Sequence, residues 1–343
     1  KPKTTKVVLD AGNGRCKFAI GEYFDYFTSQ WAIVRKLPRD IAGAFSIDNK
    51  HYIVGDDIDC VADAIDQGSI ASKGKVEALP LMLIAALTYH PDILYNAPAT
   101  KKRSKDRKLL LDVEVLSLAD GDELEESLKS ISAFQKDGIN YEINVICFRH
   151  RVEGYGAAIR ANQIIQELPQ PPKKFHILDI GNGTSTITTY TASSTSPKAG
   201  LQRPGKGGGV ASMLEHFSDK ASIGDGKGAT YDRLRRALER SKVNENGEYE
   251  TRASMSQHNI GASIKPALQD WLANQPAVVN TFSRIDELLA DGGYVFCCCG
   301  GFAIETVTNF ITNLEQFKPY VKSGHLQILP NPSTIALLGL IED

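Results

Sequence analysis

One pattern occurs twice in the chain, and it restricts the fold more than any other feature. Near the start, Val7-Val8-Leu9-Asp10-Ala11-Gly12-Asn13-Gly14 runs from apolar residues through an aspartate into Gly-Asn-Gly. About half a chain later, Ile177-Leu178-Asp179-Ile180-Gly181-Asn182-Gly183 does the same. Each copy leads into a second β-prone run, Cys16 to Ile20 and Ser185 to Tyr190. Asn-Gly between two such runs is the strongest short-range hairpin signal, because both turn residues accept the left-handed backbone that a tight turn requires. Each hairpin would carry a carboxylate at the end of its first strand. A duplicated domain would produce this offset. The 343 residues agree, since a single core stops growing well below that length.

The spacing of apolar residues fills in the elements. Strands are expected at 6–9, 16–20 and 31–36, with a small hairpin through Asp48-Asn49-Lys50 inside an inserted subdomain at about 35–75. Val76, Leu79, Leu83, Ala86 and Leu87 recur at helical spacing and predict a helix over 76–90. Ile93-Leu94-Tyr95 reads as a short buried strand, 109–118 as a strand, 123–136 as a helix and 140–148 as a strand. Arg149 to Ala158 opens a helix that runs to about 167, where Pro169, Pro171 and Pro172 mark a domain boundary. In the second half, strand 175–180 and its hairpin are followed by Gly205-Lys206-Gly207-Gly208-Gly209. Helices follow from 210, at 229–242, 253–274 and 276–290, with a polar turn region at 243–250. A buried strand, 294–299, ends in Gly300-Gly301 before a helix over 302–315. A last strand at 326–329 and a closing helix at 332–340 complete the chain. The expected division is therefore 1–168, 169–330, and a C-terminal helix at 331–343 returning to the first domain. Alternating strands and helices give the α/β class.

Bulk properties exclude several functions. The formal net charge of -2 argues against binding nucleic acid by overall electrostatics. The densest basic run, 99–108, reads as a solvated loop rather than a binding patch. No apolar run is long enough to cross a bilayer and no secretory signal pattern is read, so no membrane partner and a cytoplasmic location are expected. None of the six cysteines forms a Cys-x-x-Cys pair with a distant mate, which argues against a zinc site. Cys297, Cys298 and Cys299 read as part of a buried strand in a reducing compartment.

Glycine turns let backbone N–H groups approach an anion without obstruction. Gly12, Asn13 and Gly14, with Gly181, Asn182, Gly183 and Thr184, are candidates to clasp phosphate oxygens. Lys17 follows the first turn and could meet the same phosphates as a point charge. Asp10 and Asp179 beside phosphates require a cation, for which largely hydrated Mg²⁺ is suited. Cys299-Gly300-Gly301-Phe302 lies at a strand-to-helix junction, and Gly208-Gly209 precedes another helix, both suited to part of a nucleotide.

The order of these motifs resembles that in the superfamily of actin, the heat-shock ATPases and the sugar kinases. Asp10 to Lys17 resembles its first phosphate motif in a form close to that of actin, and Leu178 to Thr184 resembles its second. Val152 to Ala157 is similar to the first connecting helix, Cys299 to Ala303 to the adenosine motif, and Asn331 to Leu340 to the closing motif. The resemblance implies an actin-like, ribonuclease H-like fold of duplicated domains with a nucleotide cleft between them. It implies Asp10 and Asp179 holding Mg²⁺ through water, and Lys17 with the glycine turns holding phosphates. Gly208, Gly209, Gly300, Gly301 and Phe302 would line the nucleotide, ATP or alternatively GTP. Glu153 would orient the attacking water, as Glu does in plasmid-segregation actins of the ParM type. That type implies an ATPase whose filaments assemble with ATP and weaken on hydrolysis. It would move plasmid DNA through a DNA-binding adaptor protein, without touching DNA directly. A sugar-type small-molecule kinase and an enzyme-reactivating ATPase are the alternatives within the superfamily.

Overall fold

The computed structural model describes residues 4–38, 40–60, 64–90, 92–100, 106–221, 229–251 and 260–341. Most of the basic run (101–105) and the first part of the helix expected from 253 lie outside them. The chain divides into two compact units, Lys1–Glu153 with Leu340–Asp343, and Gly154–Gly339.

In the first unit, β1 (Thr4–Ala11) and β2 (Arg15–Ile20) form the expected hairpin, with Asp10 opposite Lys17 and Ala11 opposite Cys16. Strand β3 (Tyr23–Thr28) extends it antiparallel to β2. Then come β4 (Gln30–Val34), β5 (Ala44–Ile47), β6 (Lys50–Val54) and β7 (Ala64–Ser69). Asp48 and Asn49 join β5 to β6 with φ of 47° and 64°, the two left-handed residues that a tight hairpin turn demands. Helices α1 (Ile70–Lys73) and α2 (Lys75–Tyr89) follow. Every residue from Ala78 to Thr88 is buried, so α2 is a core helix without a solvent face. Pro80 removes the N–H that would reach the Val76 carbonyl. The Ser127 hydroxyl donates to that carbonyl instead, at 2.5 Å, so the helix continues through the proline.

The unit continues through β8 (Arg107–Leu116), α3 (Gly121–Lys129), β9 (Ala133–Lys136) and β10 (Ile139–Arg151). The sheet order is β3-β2-β1-β8-β10-β9-β5-β6-β4-β7, with β1, β8 and β10 parallel. Strands β4 to β7 join it through one residue pair, Ser46 opposite Gln135, and enclose a small core of Ala32, Val34, Ala44, Ile53 and Ile58.

Three expectations fail here. Ile93 to Tyr95 is not a buried strand. It lies in a turn in which the Asn96 N–H donates to the Asp92 carbonyl, and Tyr95 is 87% exposed. Strand propensity needs a neighbouring strand, and this run pairs with none. The helix expected over 123–136 ends at Lys129, and Ala133–Lys136 is a strand returning through Asp137-Gly138, both at positive φ. Arg149 to Arg151 continue β10 rather than opening a helix.

The second unit begins with α4 (Tyr155–Gln166), β11 (Lys174–Ile180), β12 (Thr184–Thr191) and β13 (Lys198–Lys206). Strand β13, not anticipated, pairs with β12 and leaves its other edge exposed. Helices α5 (Val210–Ala221) and α6 (Ala229–Glu239) lead to a small hairpin, β14 (Lys242–Val243) with β15 (Tyr249–Glu250), where a polar turn was expected. Next are α7 (Ile264–Asn274), α8 (Pro276–Ala290), β16 (Val295–Cys298), α9 (Glu305–Thr312), α10 (Lys318–Ser323), β17 (Leu326–Ile328) and α11 (Ile335–Ile341). Leu178, Ile180 and Ile187 pack with Val210, Phe217, Trp271 and Phe282 in one core. Helices α4 and α11 cross so closely that a Cβ on Gly339 would lie 2.2 Å from the Gly156 carbonyl oxygen.

The sheet order of this unit is β13-β12-β11-β16-β17, with β11, β16 and β17 parallel. It repeats β3-β2-β1-β8-β10 strand for strand: an antiparallel meander whose first strand continues into two parallel neighbours. The doubled sequence pattern is therefore the mark of a doubled fold.

Candidate functional site

In the first unit, β1 delivers Asp10 to the strand end and the hairpin register sets Lys17 across from it. Lys17 Nζ donates to Asp10 Oδ2 at 2.9 Å, and both side chains are largely buried. The turn between them is held from outside. The Ser29 hydroxyl donates to the Gly12 carbonyl at 2.6 Å, and the Ser29 N–H reaches the Gly14 carbonyl. A Cβ on Gly12 would come within 2.8 Å of the Arg15 carbonyl oxygen, so this turn excludes a side chain there. Behind the turn, burial pushes the Cys16 thiol far above its ordinary range; Asp10 adds to that, while Lys17 and Lys75 oppose it. Glu153 receives a hydrogen bond from Lys75, the first residue of α2. Four charges, two of each sign, thus accompany the first hairpin.

The second hairpin has a different support. Asp179 is the penultimate residue of β11, with Thr186 of β12 opposite it and Cys298 of β16 on its other flank. The Cys298 thiol donates to Asp179 Oδ2 at 3.9 Å. The Gly181 and Asn182 carbonyls accept from the Val210 and Ala211 N–H groups, at 3.0 and 2.8 Å. Helix α5 therefore uses its first N–H groups to hold the turn, and a Cβ on Gly209 would lie 2.5 Å from the Asn182 carbonyl oxygen. Gly208 is similarly tight against Ser185 Oγ. Gly154, with φ of 78°, stands beside the same aspartate: a Cβ there would lie 3.8 Å from Asp179 Oδ2.

At the third motif, β16 ends and Cys299 adopts φ of 76°, its N–H donating to the Pro332 carbonyl at 2.6 Å. Cys299 is thus a turn residue, not the last strand residue that the apolar run suggests. Gly301 packs against Ile180, where a Cβ would meet Cγ2 at 2.6 Å, and Phe302 is buried. Gly300 faces open space.

In the first unit the structure thus gathers Asp10, Gly12, Asn13, Gly14 and Lys17 at one hairpin. In the second it gathers Asp179, Gly181, Asn182, Gly183 and Thr184 with Gly208 and Gly209, and Gly301 against the same strand. The sequence reading missed Lys75 and Ser29. Lys75 lies 78 positions from its partner, and no local spacing marks it.

The donor set suits a hydrated cation and a polyphosphate. Among the described residues no three His, Cys, Asp or Glu side chains gather in the manner of an all-protein metal cage. Each hairpin, taken by itself, offers one carboxylate, and Mg²⁺ is a cation that keeps most of its water and needs few protein ligands. Among the described residues no backbone carbonyl takes the N–H groups of Asn13, Gly14, Asn182 or Gly183. Asn182 Oδ1 is buried without a protein partner.

Comparison with solved structures agrees with the topology. A non-polymerisable quadruple mutant of pCBH ParM is 14% identical, with a TM-score of 0.68, covering 99% of this chain and 98% of the other. A ParM from Clostridium botulinum, solved as a 15-stranded filament, is 15% identical with a TM-score of 0.66 and the same coverage. Ta0583, an archaeal actin homologue solved in complex with ADP, is 19% identical with a TM-score of 0.63 and the same coverage. No protein-family model and no curated protein sequence matches the chain. The fold is therefore the duplicated actin-like fold, in the form shared with ParM.

Proposed function

We propose that this chain binds and hydrolyses a nucleoside triphosphate, with Mg²⁺, and couples hydrolysis to assembly into dynamic filaments. The observation that carries the reading is the pair of equivalent hairpins, β1–β2 and β11–β12, each with a buried aspartate as the penultimate residue of its first strand, beside a glycine turn whose N–H groups at Asn13, Gly14, Asn182 and Gly183 meet no backbone carbonyl among the described residues. Asp10 and Asp179 hold Mg²⁺ through water, and the ion neutralises charge on the phosphates. Lys17 and the turn N–H groups of Asn13, Gly14, Asn182 and Gly183 hold phosphate oxygens. The Gly208-Gly209 and Gly300-Gly301-Phe302 junctions line the rest of the nucleotide, ATP in the first instance and GTP as the alternative. Glu153 orients the attacking water and accepts its proton, with electrostatics supplying most of the acceleration.

Filament assembly is supported by fold alone: the matching ParM proteins include one solved as a filament and one made non-polymerisable. Segregation of plasmid DNA through a DNA-binding adaptor is the cellular role that follows from this likeness. The net charge of -2 supports an adaptor over direct DNA contact. The test is light scattering and pelleting with Mg–ATP, with electron microscopy of the pellet. Nucleotide-dependent polymers are expected. A chain that binds Mg–ATP yet stays monomeric at high concentration overturns the filament, and one that binds no nucleotide overturns the whole reading.

A further inference from the structure

We propose that Lys75 is the positioning residue for Glu153, holding that carboxylate in the orientation that water activation needs; this rests on the reading under Proposed function. Glu153 lies two residues beyond the end of β10 and precedes Gly154 at positive φ, so no regular element fixes its side chain. Lys75 Nζ donates to Glu153 Oε1, and among the described residues no other hydrogen bond to this carboxylate forms. The two side chains are only 14% and 15% exposed, so the pair is not a solvated surface contact.

The location of Lys75 has no local explanation. It opens α2, where the helix dipole disfavours a cation. What the position offers is rigidity. The next turns of α2 are buried in the core, and the first turn is tied to α3 by the Ser127–Val76 hydrogen bond. A loop carboxylate held by a group on a rigid element keeps its geometry far better than one left to its own rotamers. Lys75 also lowers the pKa of the Cys16 thiol, in the same sense as Lys17, so its charge is felt behind the β1–β2 turn.

In this arrangement Lys75 occupies Oε1 and leaves Oε2 to accept a hydrogen bond from water. The water oxygen bonds to the γ-phosphorus, and the bond from that phosphorus to the bridging oxygen breaks. The nucleoside diphosphate leaves with the bonding pair, and the water proton passes to Glu153 and then to the released phosphate. Lys75 transfers no proton.

The experiment is steady-state hydrolysis of Mg–ATP by wild type, Lys75→Met, Lys75→Arg, Glu153→Ala and the double variant Lys75→Met/Glu153→Ala. Lys75→Met is expected to lower kcat by about a hundredfold with KM nearly unchanged. Lys75→Arg, which keeps a cation on the carboxylate, is expected to recover most of the rate. On the Glu153→Ala background Lys75→Met is expected to change kcat by less than about twofold, because its partner is already gone. Losses that multiply, an effect on KM alone, or an arginine variant as slow as the methionine variant overturns the proposal. Should Lys75→Met fail to fold, Lys75→Gln enters the same cycle and is read in the same way. Wild-type protein that binds Mg–ATP without hydrolysing it, or binds none, refutes the underlying reading and the proposal with it.

Discussion

Asp10 pairs with Lys17 in this structure and with a different partner in the proposed nucleotide complex. Without a cation beside it, a buried aspartate needs a partner, and the cross-strand register supplies Lys17 at 2.9 Å. With Mg–nucleotide the carboxylate is proposed to face the hydrated ion while the lysine turns to phosphate. Asp10→Ala should therefore raise the dissociation constant for Mg–ATP by about 10- to 100-fold, the usual cost of losing an outer ligand. In chelator the same substitution should not weaken nucleotide binding, since the lysine is then unopposed. Calorimetry with and without Mg²⁺ separates the two cases, and equal losses in both would exclude the metal role. Glu153→Ala should slow hydrolysis by about a hundredfold while polymers still assemble, measured by phosphate release beside light scattering. Polymers of this variant that turn over as fast as wild type would refute the assignment.

A third residue carries a pH dependence. His176 is buried in β11, with Thr189 Oγ1 3.0 Å from its Nδ1. Burial is the main cause that lowers its pKa from 6.5 to about 4, with Arg284 and Lys174 adding to it. The folded state thus favours the neutral ring, while the unfolded chain takes up a proton near pH 6.5. The stabilisation is complete above that pH and is lost as pH falls towards 4, by about 3 kcal/mol in all. Urea unfolding between pH 7 and 4.5 should show this loss, and His176→Asn should remove most of it. A variant with an unchanged slope would place the acid sensitivity elsewhere.

At the scale of elements, the second turn depends on the helix behind it. Gly209 lets α5 begin directly against the Gly181 and Asn182 carbonyls. Gly209→Ala forces backbone apart at both ends of that contact. It should cost about 1–3 kcal/mol of stability and weaken nucleotide binding together, measured by denaturant midpoint and calorimetry. Loss of stability with unaltered affinity would mean that the turn does not touch the nucleotide.

Legibility followed the same line between local and distant causes. Both Asp-x-Gly-Asn-Gly hairpins are readable because their strand runs are contiguous, although neither Asn13-Gly14 nor Asn182-Gly183 takes the left-handed backbone that the Asn-Gly signal supposes. The buried helix α2 was readable from its apolar spacing. Strand β9 was mistaken for helix although Asp137-Gly138 is itself a hairpin signal, because Phe134 could continue the periodicity of α3. Strand β13 was missed because Gly200, Pro204 and Gly205 are turn formers; an edge strand tolerates them, since only β12 requires its hydrogen bonds. Of the site, the aspartates and glycines were visible, whereas Lys75 and Ser29 act through contacts across many residues that no motif encodes.

On the scale of the whole molecule, the two units have separate hydrophobic cores, and each holds one of the chain's two tryptophans. Trp31 lies in the first core and Trp271 in the second, both buried. Trp271→Phe leaves a reporter for the first unit and Trp31→Phe leaves one for the second. Chains with more than one core commonly depart from a single cooperative transition, so the two fluorescence transitions in urea need not coincide. A nucleotide held by both hairpins must stabilise both. At about a hundredfold excess over its dissociation constant, Mg–ATP contributes about 2.7 kcal/mol, enough to raise a urea midpoint by about 1 M. Both reporters should therefore shift when Mg–ATP is added, and Asp10→Ala, with a dissociation constant raised about 10- to 100-fold, should cut both shifts to about 0.4–1.4 kcal/mol at the same ligand concentration although the substitution lies in only one unit. A shift confined to Trp31 would mean that the second hairpin contributes nothing to binding, and the reading of the doubled motif as one phosphate clamp would fall.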